Sequence, residues 1–326
     1  MRAVLYDRWG GPEVLRIAEV DVPTPRTGEV LVRVEAASIN SWDWDLLTGR
    51  RYIVRPSGFS KGPKQLGFDL AGTVEQTGPG VSRFRRGDAV LADLAFDGPR
   101  AFAEFVVVKE AALAKKPEGL SFAHAAALPQ AGLLASLGLS GPPEVGSGSR
   151  VLVNGAGGGV GTLAIQLAKQ QGAHVTGVDS AFKLEAMRKI GADRVIDYAQ
   201  TDFTKAGEQY DCILDVVADH SPLDYARALA SGGRLMVIGG TTSALLNVVT
   251  LGTILGILSG KRLGVLIHKQ DVAELEQLAS LCASSQLSPV VDGIYPLEQI
   301  QDAFTRFASG QFVGKIVISI GSAQPS

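Results

Sequence analysis

The chain has 326 residues, 46% of them hydrophobic, and its 31 basic and 33 acidic side chains give a net charge of −2. This balance offers no basic surface for nucleic acid or an anionic membrane, so the expected partner is a small molecule. The length suits two domains. The two cysteines, Cys212 and Cys282, form no CxxC pair, which predicts neither a disulfide framework nor a thiolate metal site and favours the reducing cytoplasm.

The first part of the chain, 1–121, is expected to be a mostly antiparallel β domain. Its apolar segments are short, alternate in polarity and are separated by turn residues. The predicted strands are AVLYD, VLVRVEAASI, AGTVEQTG, DAVLADL and AFAEFVVV.

In the next part, 122–268, strands are expected to alternate with helices. Strand-like runs such as VLVNGA, HVTGVD, DRVIDY, CILDVVA, GRLMVIGG and GVLIH are separated by helical patterns, and such alternation predicts a parallel sheet covered on both faces. The remaining residues, 269–326, contain helical patterns at 271–284 and 296–308 and a last predicted strand, GKIVISI.

One apolar stretch, Ala244–Leu258, has no assigned partner. Its 15 residues are too few to cross a bilayer as a helix, so no integral membrane segment is expected. Its apolar residues surround more than one helix face and should therefore be covered. A lid over an apolar substrate, a homodimer contact and ordinary core packing remain open.

The segment VLVNGAGGGVG at 151–161 carries the clearest chemical signal. A strand breaks into a glycine-rich turn and then into a helical pattern expected to start at Val160, an order that binds a pyrophosphate through backbone N–H groups and the helix dipole. The glycines follow a GxxGxxG spacing, because Ala156 stands where the stricter dinucleotide pattern has a glycine. The expected cofactor contacts here are Gly155, Gly157, Gly158, Gly159, Val160 and Gly161.

Asp179 supports a dinucleotide as the ligand of this segment. It ends the next predicted strand, HVTGVD, 18 residues after Gly161. A carboxylate at this place in a βαβ unit meets the adenine ribose hydroxyls of NAD and repels the 2′-phosphate of NADP. The sequence therefore favours NADH.

With these features, the chain resembles a medium-chain dehydrogenase/reductase of the zinc-independent quinone oxidoreductase or enone reductase branch. The segments that carry the resemblance include MRAVLYDRWGGPEVL, LGFDLAGTVEQTGPGVSRFRRGDAV, NGAGGGVGTLAIQLAK, GADRVIDY and GKIVI. The resemblance implies an α/β fold in which a Rossmann doubly wound parallel sheet is inserted into a GroES-like, mostly antiparallel β catalytic domain. Residues 269–326 would then return to the catalytic domain.

The resemblance also implies a function. The protein would be an enzyme that transfers a hydride from NAD(P)H to a quinone or an α,β-unsaturated carbonyl. A different class of function stays open, a catalytically quiet dinucleotide-binding scaffold or sensor like the crystallin relatives.

Further cofactor contacts follow from the resemblance. Ser180, Lys183 and Tyr198 resemble the positions that contact the phosphate in NADPH-dependent relatives, which makes NADPH the close alternative to NADH. Val217, Gly239 and Gly240, which follow the fourth and fifth predicted strands, are expected to be neighbours of the cofactor.

A metal site is not expected. The positions that match the catalytic zinc ligands of zinc-dependent relatives read Asn40, Phe68, Asp69 and, for the last, a segment near Gln130 without cysteine. Phenylalanine cannot bind zinc, and hydride transfer to an already conjugated acceptor does not require a Lewis acid.

Three catalytic candidates lie in the segment SINSWDWDLL. Asn40 would hydrogen-bond the nicotinamide ribose or a substrate oxygen, unless it only caps a turn. Asp43 would help to hold the site, or would only satisfy backbone donors. Trp44 would form a wall of the cleft. No residue is assigned as proton donor, and solvent can fill that role.

Overall fold

The computed structural model describes residues 1–49 and 64–321. The chain divides into two compact units, one formed by Met1–Gln130 with Gln270–Ser326 and the other by Ala131–Lys269. Residues 122–130, which the sequence pattern groups with the second domain, lie in the first unit because the helix Phe122–Ala126 packs against strands of that unit.

The described strands follow the chain in this order: β1 Arg2–Tyr6, β2 Arg16–Glu19, β3 Glu29–Ser38, β4 Lys64–Gln65, β5 Asp69–Thr77, β6 Ala89–Asp93, β7 Phe105–Lys109, β8 Leu113–Lys115, β9 Arg150–Asn154, β10 His174–Asp179, β11 Arg194–Asp197, β12 Tyr210–Asp215, β13 Leu229–Val237, β14 Arg262–Val265, β15 Val291–Pro296 and β16 Lys315–Ser319. The described α-helices are Ser41–Thr48, Phe122–Ala126, Pro129–Leu139, Gly159–Gln170, Leu184–Lys189, Pro222–Ala228, Thr242–Asn247, Thr253–Ser259, Val272–Ala283 and Ile300–Ala308.

The first unit is built on a seven-stranded sheet. Its order is β15-β16-β3-β5-β6-β8, with β7 also paired to β3, and a small sheet β2-β1-β4 stands beside it. All these pairings are antiparallel except that of β15 with β16. Strand β3 is long and rich in valine, and most of its residues are buried, as suits a central strand.

The end of the chain completes this first sheet. Strand β16 pairs antiparallel with β3, with Val317 opposite Ser38. The buried core of the unit also joins both chain ends, since Ile316 and Phe304 belong to the same apolar cluster as Val4 and Val32. The segment after Lys269 therefore returns to the first unit.

The second unit contains a six-stranded parallel sheet in the order β11-β10-β9-β12-β13-β14. Numbered within the unit, this order is 3-2-1-4-5-6, the doubly wound order of dinucleotide-binding folds. The central strands are almost wholly buried, as their unbroken apolar runs predict for a sheet covered on both faces. The order reverses between β9 and β12, where such folds bind their ligands.

The apolar stretch after β13 forms one helical segment, Thr242–Ser259, with a π-helical stretch at Val248–Gly252. Its 18 residues make it longer than the stretch read from the sequence, and among the described residues it is the one helix that could span a membrane by length and composition. Only 17% of it is buried. Val248 lies in the core of the unit, but packing among the described residues does not account for all the apolar side chains, since Ile257 and Leu258 are nearly 80% exposed.

Candidate functional site

The glycine-rich turn lies at the carboxyl end of β9. Gly155 has a φ of +80°, in the left-handed region that glycine tolerates. A side chain there would also press on Val216 and Val217, 3.2 Å from a Cβ. The turn thus needs a glycine both for its backbone conformation and for its contact with the loop after β12.

The helix after this turn begins at Gly159, with Gly158 as its N-cap residue. The predicted start at Val160 is one residue late. The N–H groups of the first turn, at Gly159, Val160 and Gly161, have no carbonyl partner within the helix, so they are the donors offered to an anion. The structure brings these residues together as expected for a pyrophosphate site.

The glycines of the turn differ in their roles. A Cβ at Gly158 would meet only Gly155 O, at 3.4 Å, so this position borders open space. A Cβ at Gly161 would overlap Gly155 O and come within 2.5 Å of Ala156 Cα. Gly161 is buried, so its lack of a side chain serves the close packing of the helix on the turn.

Asp179 ends β10 and is anchored to the glycine turn. Its Oδ2 accepts a hydrogen bond from Gly157 N at 2.9 Å, and its Oδ1 accepts one from Ser180 N at 2.8 Å. The residue is only 8% exposed. The carboxylate therefore fixes the turn itself, a role that the sequence reasoning did not foresee.

Lys183 covers this carboxylate. Its Nζ lies 3.4 Å from Asp179 Oδ1, and both side chains are nearly buried. The stem of Lys183 also lies over Gly157, where a Cβ would come within 2.5 Å of Lys183 Cδ. The two opposite charges therefore compensate each other.

Tyr198 follows β11 on the same edge of the sheet. Its backbone N–H donates to Asp179 O at 3.2 Å, and its side chain is 61% exposed. Ser180 caps the short 3-10 turn that carries Lys183. Ser180, Lys183 and Tyr198 therefore lie around Asp179, and their contact with a phosphate stays a prediction.

Val217, Gly239 and Gly240 meet where β12 and β13 end. Val217 is 46% exposed. Gly240 has a φ of +123°, and a Cβ there would come within 2.6 Å of the Ala218 methyl group. The loops after the two strands therefore pack closely against each other. This packing alone requires a glycine at position 240, whether or not a ligand binds there.

A buried carboxylate, Asp215, organises this edge and was missed by the sequence reasoning. Its oxygens accept hydrogen bonds from Asn154 Nδ2, from the backbone N–H groups of Val217 and Ala218, and from the Tyr225 hydroxyl at 2.6 Å. Asp215 and Asn154 end neighbouring strands in register at the point where the strand order reverses. The available signal was a polar residue at the end of each apolar strand.

His220 adds a second charged contact nearby. Its Nδ1 lies 2.7 Å from Asp219 Oδ1, and its Nε2 lies 3.2 Å from Asp202 Oδ1. The hydrogen bond with Asp219 is the main reason that the pKa of His220 is raised. Asp215, Asp219 and His220 are close enough to share a cation, but the hydrogen bonds among them and their neighbours already explain the arrangement.

In the first unit, Asn40 is the N-cap residue of the helix Ser41–Thr48, a helix that the sequence pattern did not reveal. Its side-chain Oδ1 accepts a hydrogen bond from Lys315 Nζ at 2.6 Å, and its Nδ2 donates to Asp69 Oδ2 at 2.9 Å. Both ends of the amide are therefore held. One Nδ2 hydrogen remains for a further acceptor.

Asp43 is fully buried. Its Oδ2 accepts from Asn40 N at 2.9 Å and its Oδ1 from Gly67 N at 2.7 Å, so it joins the start of the helix to the segment before β5. Burial raises the pKa of Asp43 to about 7. The contacts match the expectation that Asp43 satisfies backbone donors.

Asp69 and Lys315 form a buried ion pair at 3.2 Å. Asp69 also accepts hydrogen bonds from Ser38 Oγ and, through Oδ1, from Gln130 N at 3.0 Å. Burial raises the pKa of Asp69, although Lys315 opposes this shift. Sequence reasoning missed Lys315 because a lysine within a strand is typical of an exposed position.

Trp44 is partly buried and packs against the core of the first unit. Its ring lies 6.3 Å from that of Phe307. The neighbouring Trp42 instead makes an edge contact with Phe68, with ring centroids 5.6 Å apart. The Trp44 ring therefore lies beside Phe307 at the border of this core, and the backbone N–H of Trp44 donates to Asn40 O.

The residues at the expected zinc positions do not fit zinc. Phe68 offers no ligand atom, and the Lys315 ammonium group occupies the space between Asn40 Oδ1 and Asp69 Oδ2. A cation that binds through these oxygens would have to displace this ammonium group, and thiolate and imidazole ligands typical of zinc are not among these side chains.

Comparison with known proteins agrees with this architecture. Residues 26–118 match the alcohol dehydrogenase GroES-like domain family, and residues 190–318 match the zinc-binding dehydrogenase family. The chloroplast envelope quinone oxidoreductase homolog of Arabidopsis thaliana is 33% identical over 98% of both chains. The NADPH-dependent alkenal/one oxidoreductase of the same plant is 32% identical over 98% of this chain and 79% of its own.

Among solved structures, the quinone oxidoreductase from Coxiella burnetii superposes with a TM-score of 0.88 at 29% identity, covering 98% of this chain and 99% of the other. These similarities run over almost the whole chain and include both units. They confirm the resemblance noted in the sequence and the predicted fold class. The chain belongs to the medium-chain dehydrogenase/reductase superfamily, in its quinone and enone oxidoreductase branch.

Proposed function

We propose that the protein is an NAD(P)H-dependent oxidoreductase that transfers a hydride to a quinone or an α,β-unsaturated carbonyl. The observation that carries this proposal is the anchored glycine turn, in which Gly157 N donates to the Asp179 carboxylate just before the helix that begins at Gly159. The relatives named as quinone and alkenal/one oxidoreductases support the same activity. Because these relatives are enzymes, a catalytically quiet scaffold is not favoured.

The chain's own residues bind and orient the reactants. The first helical turn from Gly159 would hold the pyrophosphate, and Asp179 would face the adenine ribose. The reduced nicotinamide supplies the hydride when it is bound. Conjugated acceptors are already electrophilic at carbon, so the protein needs mainly to align the two rings and exclude water.

We propose that this reaction needs no metal. The support is the side-chain set in the first unit, where Lys315 supplies a fixed positive charge between Asn40 and Asp69. Such a set suits acceptors that are activated by conjugation better than simple alcohols or ketones, which usually need a Lewis acid.

We also propose that NADH is the preferred reductant, with NADPH used less efficiently. Asp179 is held in place by Gly157 N and Ser180 N and remains next to the expected ribose position. The charge of Lys183 is compensated by Asp179, so a 2′-phosphate would gain little net attraction there. A carboxylate close to that phosphate would repel it.

A homodimer is a further proposal. Its support is the exposed apolar surface of the helical segment Thr242–Ser259 together with the edge strand β14, because an uncovered strand edge and an apolar patch both favour association. Light scattering on the purified protein would measure the mass in solution, and a strictly monomeric mass would contradict the proposal.

The central experiment is a turnover assay. Oxidation of NADH and of NADPH would be followed with a panel of benzoquinones, naphthoquinones, enones and simple ketones. Rapid oxidation with conjugated acceptors, and none with simple ketones, is the expected result. Tight dinucleotide binding without turnover of any acceptor would instead favour the scaffold.

A further inference from the structure

Gln130 has a buried side-chain donor that no described residue accepts from. The residue is only 4% exposed, and within the described part of the chain its Nε2 has no hydrogen-bond partner. A buried donor left unpaired destabilises the folded state. Such groups are rare in native proteins and need an explanation.

The backbone of Gln130 places it beside the buried polar group of the first unit. Gln130 is the second residue of the helix Pro129–Leu139, and its N–H donates to Asp69 Oδ1 at 3.0 Å. The other oxygen of Asp69 accepts from Ser38, Asn40 and Lys315. Asp69 thus already accepts hydrogen bonds from four donors.

The amide oxygen of Asn40 is also engaged, since Lys315 donates to it at 2.6 Å. The oxygens of Asp69 and Asn40 therefore already accept hydrogen bonds from other donors. None of these hydrogen bonds comes from Gln130 Nε2. No residue in the described part of the chain supplies the missing acceptor, which points to a bound molecule. A neutral amide beside a compensated ion pair suits an uncharged oxygen that gains negative charge during a reaction.

We propose that Gln130 Nε2 donates a hydrogen bond to the carbonyl oxygen of the bound quinone or enone and stabilises the charge that develops on it. This inference rests on the proposed function. Hydride addition to the conjugated carbon of an enone moves an electron pair onto the carbonyl oxygen, and a proton from water then completes the saturated ketone as the dinucleotide is oxidised. A donor already in place in a dry site can be worth a factor of about 100 or more in rate.

Stability and activity should respond in opposite ways when this donor is removed. Gln130→Met keeps the length of the side chain but replaces the unpaired amide with an apolar group. We expect the urea midpoint of unfolding to stay the same or to rise, because the burial cost of the amide disappears. A purely structural glutamine would instead lower the midpoint when replaced.

The kinetic measurement uses the same variant. We expect kcat/KM for enones and quinones to fall at least tenfold, mainly through kcat, while the dissociation constant of the dinucleotide changes less than twofold. Catalytic constants within twofold of wild type would overturn the inference. A loss confined to dinucleotide affinity would also overturn it, since the acceptor would then be the cofactor and not the substrate.

A matched control exists in the same unit. Gln301 Nε2 donates to the Leu15 carbonyl at 2.7 Å, so Gln301→Met should lower stability and leave the catalytic constants unchanged. Wild-type rates with each acceptor are measured first. If wild type reduces none of them, the proposed function fails; if wild type is active and Gln130→Met behaves like the control, only the role of Gln130 fails.

Discussion

Lys315 and Asn40, 275 residues apart in the chain, are joined by a buried hydrogen bond of 2.6 Å. The same ammonium group is 3.2 Å from Asp69. One lysine of the last strand thus holds the start of the helix Ser41–Thr48 and compensates a buried carboxylate of β5. Replacing Lys315 should therefore mainly lower the stability of the fold.

Lys315→Met should lower the free energy of unfolding at neutral pH by about 3 to 5 kcal/mol, because it leaves Asp69 ionised and buried without its cation. The loss should shrink toward acidic pH, where Asp69 takes up a proton. Urea unfolding at several pH values measures this, and Lys315→Met combined with Asp69→Asn should recover part of the loss. Equal losses at all pH values would contradict the ion-pair explanation.

Asp43 should make stability depend on pH in the opposite sense from an ordinary carboxylate. Its pKa is raised by burial to about 7 from 3.8, so the folded state binds the proton more tightly than the unfolded state. The stabilising contribution is complete below the unfolded pKa and is lost as the pH rises through 7.

The measurement is the difference in unfolding free energy between wild type and the non-titrating Asp43→Asn. This difference should fall by a few kcal/mol, as an order of magnitude, from about pH 4 to pH 8. A difference that is constant across this range would show that Asp43 is ionised throughout.

Gly158→Asp should abolish dinucleotide binding and leave the fold intact. The position borders open space, so a side chain fits, but it brings a negative charge to the place where the pyrophosphate would lie. Calorimetry measures the affinity and thermal unfolding the stability. Gly158→Ala separates the charge from the volume, and unchanged affinity in Gly158→Asp would remove this turn from the cofactor site.

Gly161→Ala tests the packing of the helix on the turn, whereas Gly158→Asp tests ligand binding. A Cβ at position 161 would overlap the backbone of the turn at Gly155, so this small change should lower stability more than Gly158→Ala does. Equal stability of the two alanine variants would mean that the turn can move away from the helix.

Asp179→Ser should shift the ratio of kcat/KM values toward NADPH by tenfold or more. Removing a carboxylate about 4 to 6 Å from a 2′-phosphate relieves on the order of 1 to 3 kcal/mol of repulsion, and 1.4 kcal/mol is a factor of ten. It also frees Lys183 from its ion pair. Since the serine loses the anchor to Gly157 N, both cofactors should bind more weakly, and the ratio is the informative quantity.

Lys183→Met is the companion variant. If Lys183 contributes to phosphate binding in Asp179→Ser, the double variant should lose the gain in NADPH use. A ratio that does not move in Asp179→Ser would mean that Asp179 only anchors the turn, and the proposed preference for NADH would be wrong.

Turnover should be unaffected by chelators, because the side chains around Asn40 and Asp69 enclose an ammonium group and offer no typical zinc ligand set. Activity would be measured after prolonged treatment with a chelator, together with the metal content of the protein. Stoichiometric zinc, with activity lost on chelation and restored by zinc, would contradict this prediction.

Local patterns were enough to predict most elements of the second unit, although not the helix Pro129–Leu139. The strands HVTGVD and VLVN, the glycine turn and the following helix depend on neighbouring residues and on unbroken apolar runs, which parallel sheets require. The helix Ser41–Thr48 was not predicted because its eight residues SWDWDLLT show no clear apolar face. Its start is set by Asn40 and Asp43 through contacts with distant strands.

The roles of individual side chains were harder to predict than the elements. Asp179 was expected at the end of its strand, where it lies, but its anchoring of Gly157 depends on how the turn folds back over it. Lys315, Asp69 and Gln130 meet only because two strands and a helix from distant parts of the chain converge. The spacing of residues along the sequence does not indicate such contacts between distant segments.

The pairing of β16 with β3 also bears on how the protein is made. During synthesis, residues 131–269 leave the ribosome as one continuous segment and can fold at once. The first unit cannot complete its sheet until β16, near the end of the chain, has been synthesised. Until then β3 exposes an edge and Asp69 has no cation. Nascent chains that stall before residue 315 should therefore contain a finished nucleotide-binding fold attached to an unfinished and aggregation-prone sheet.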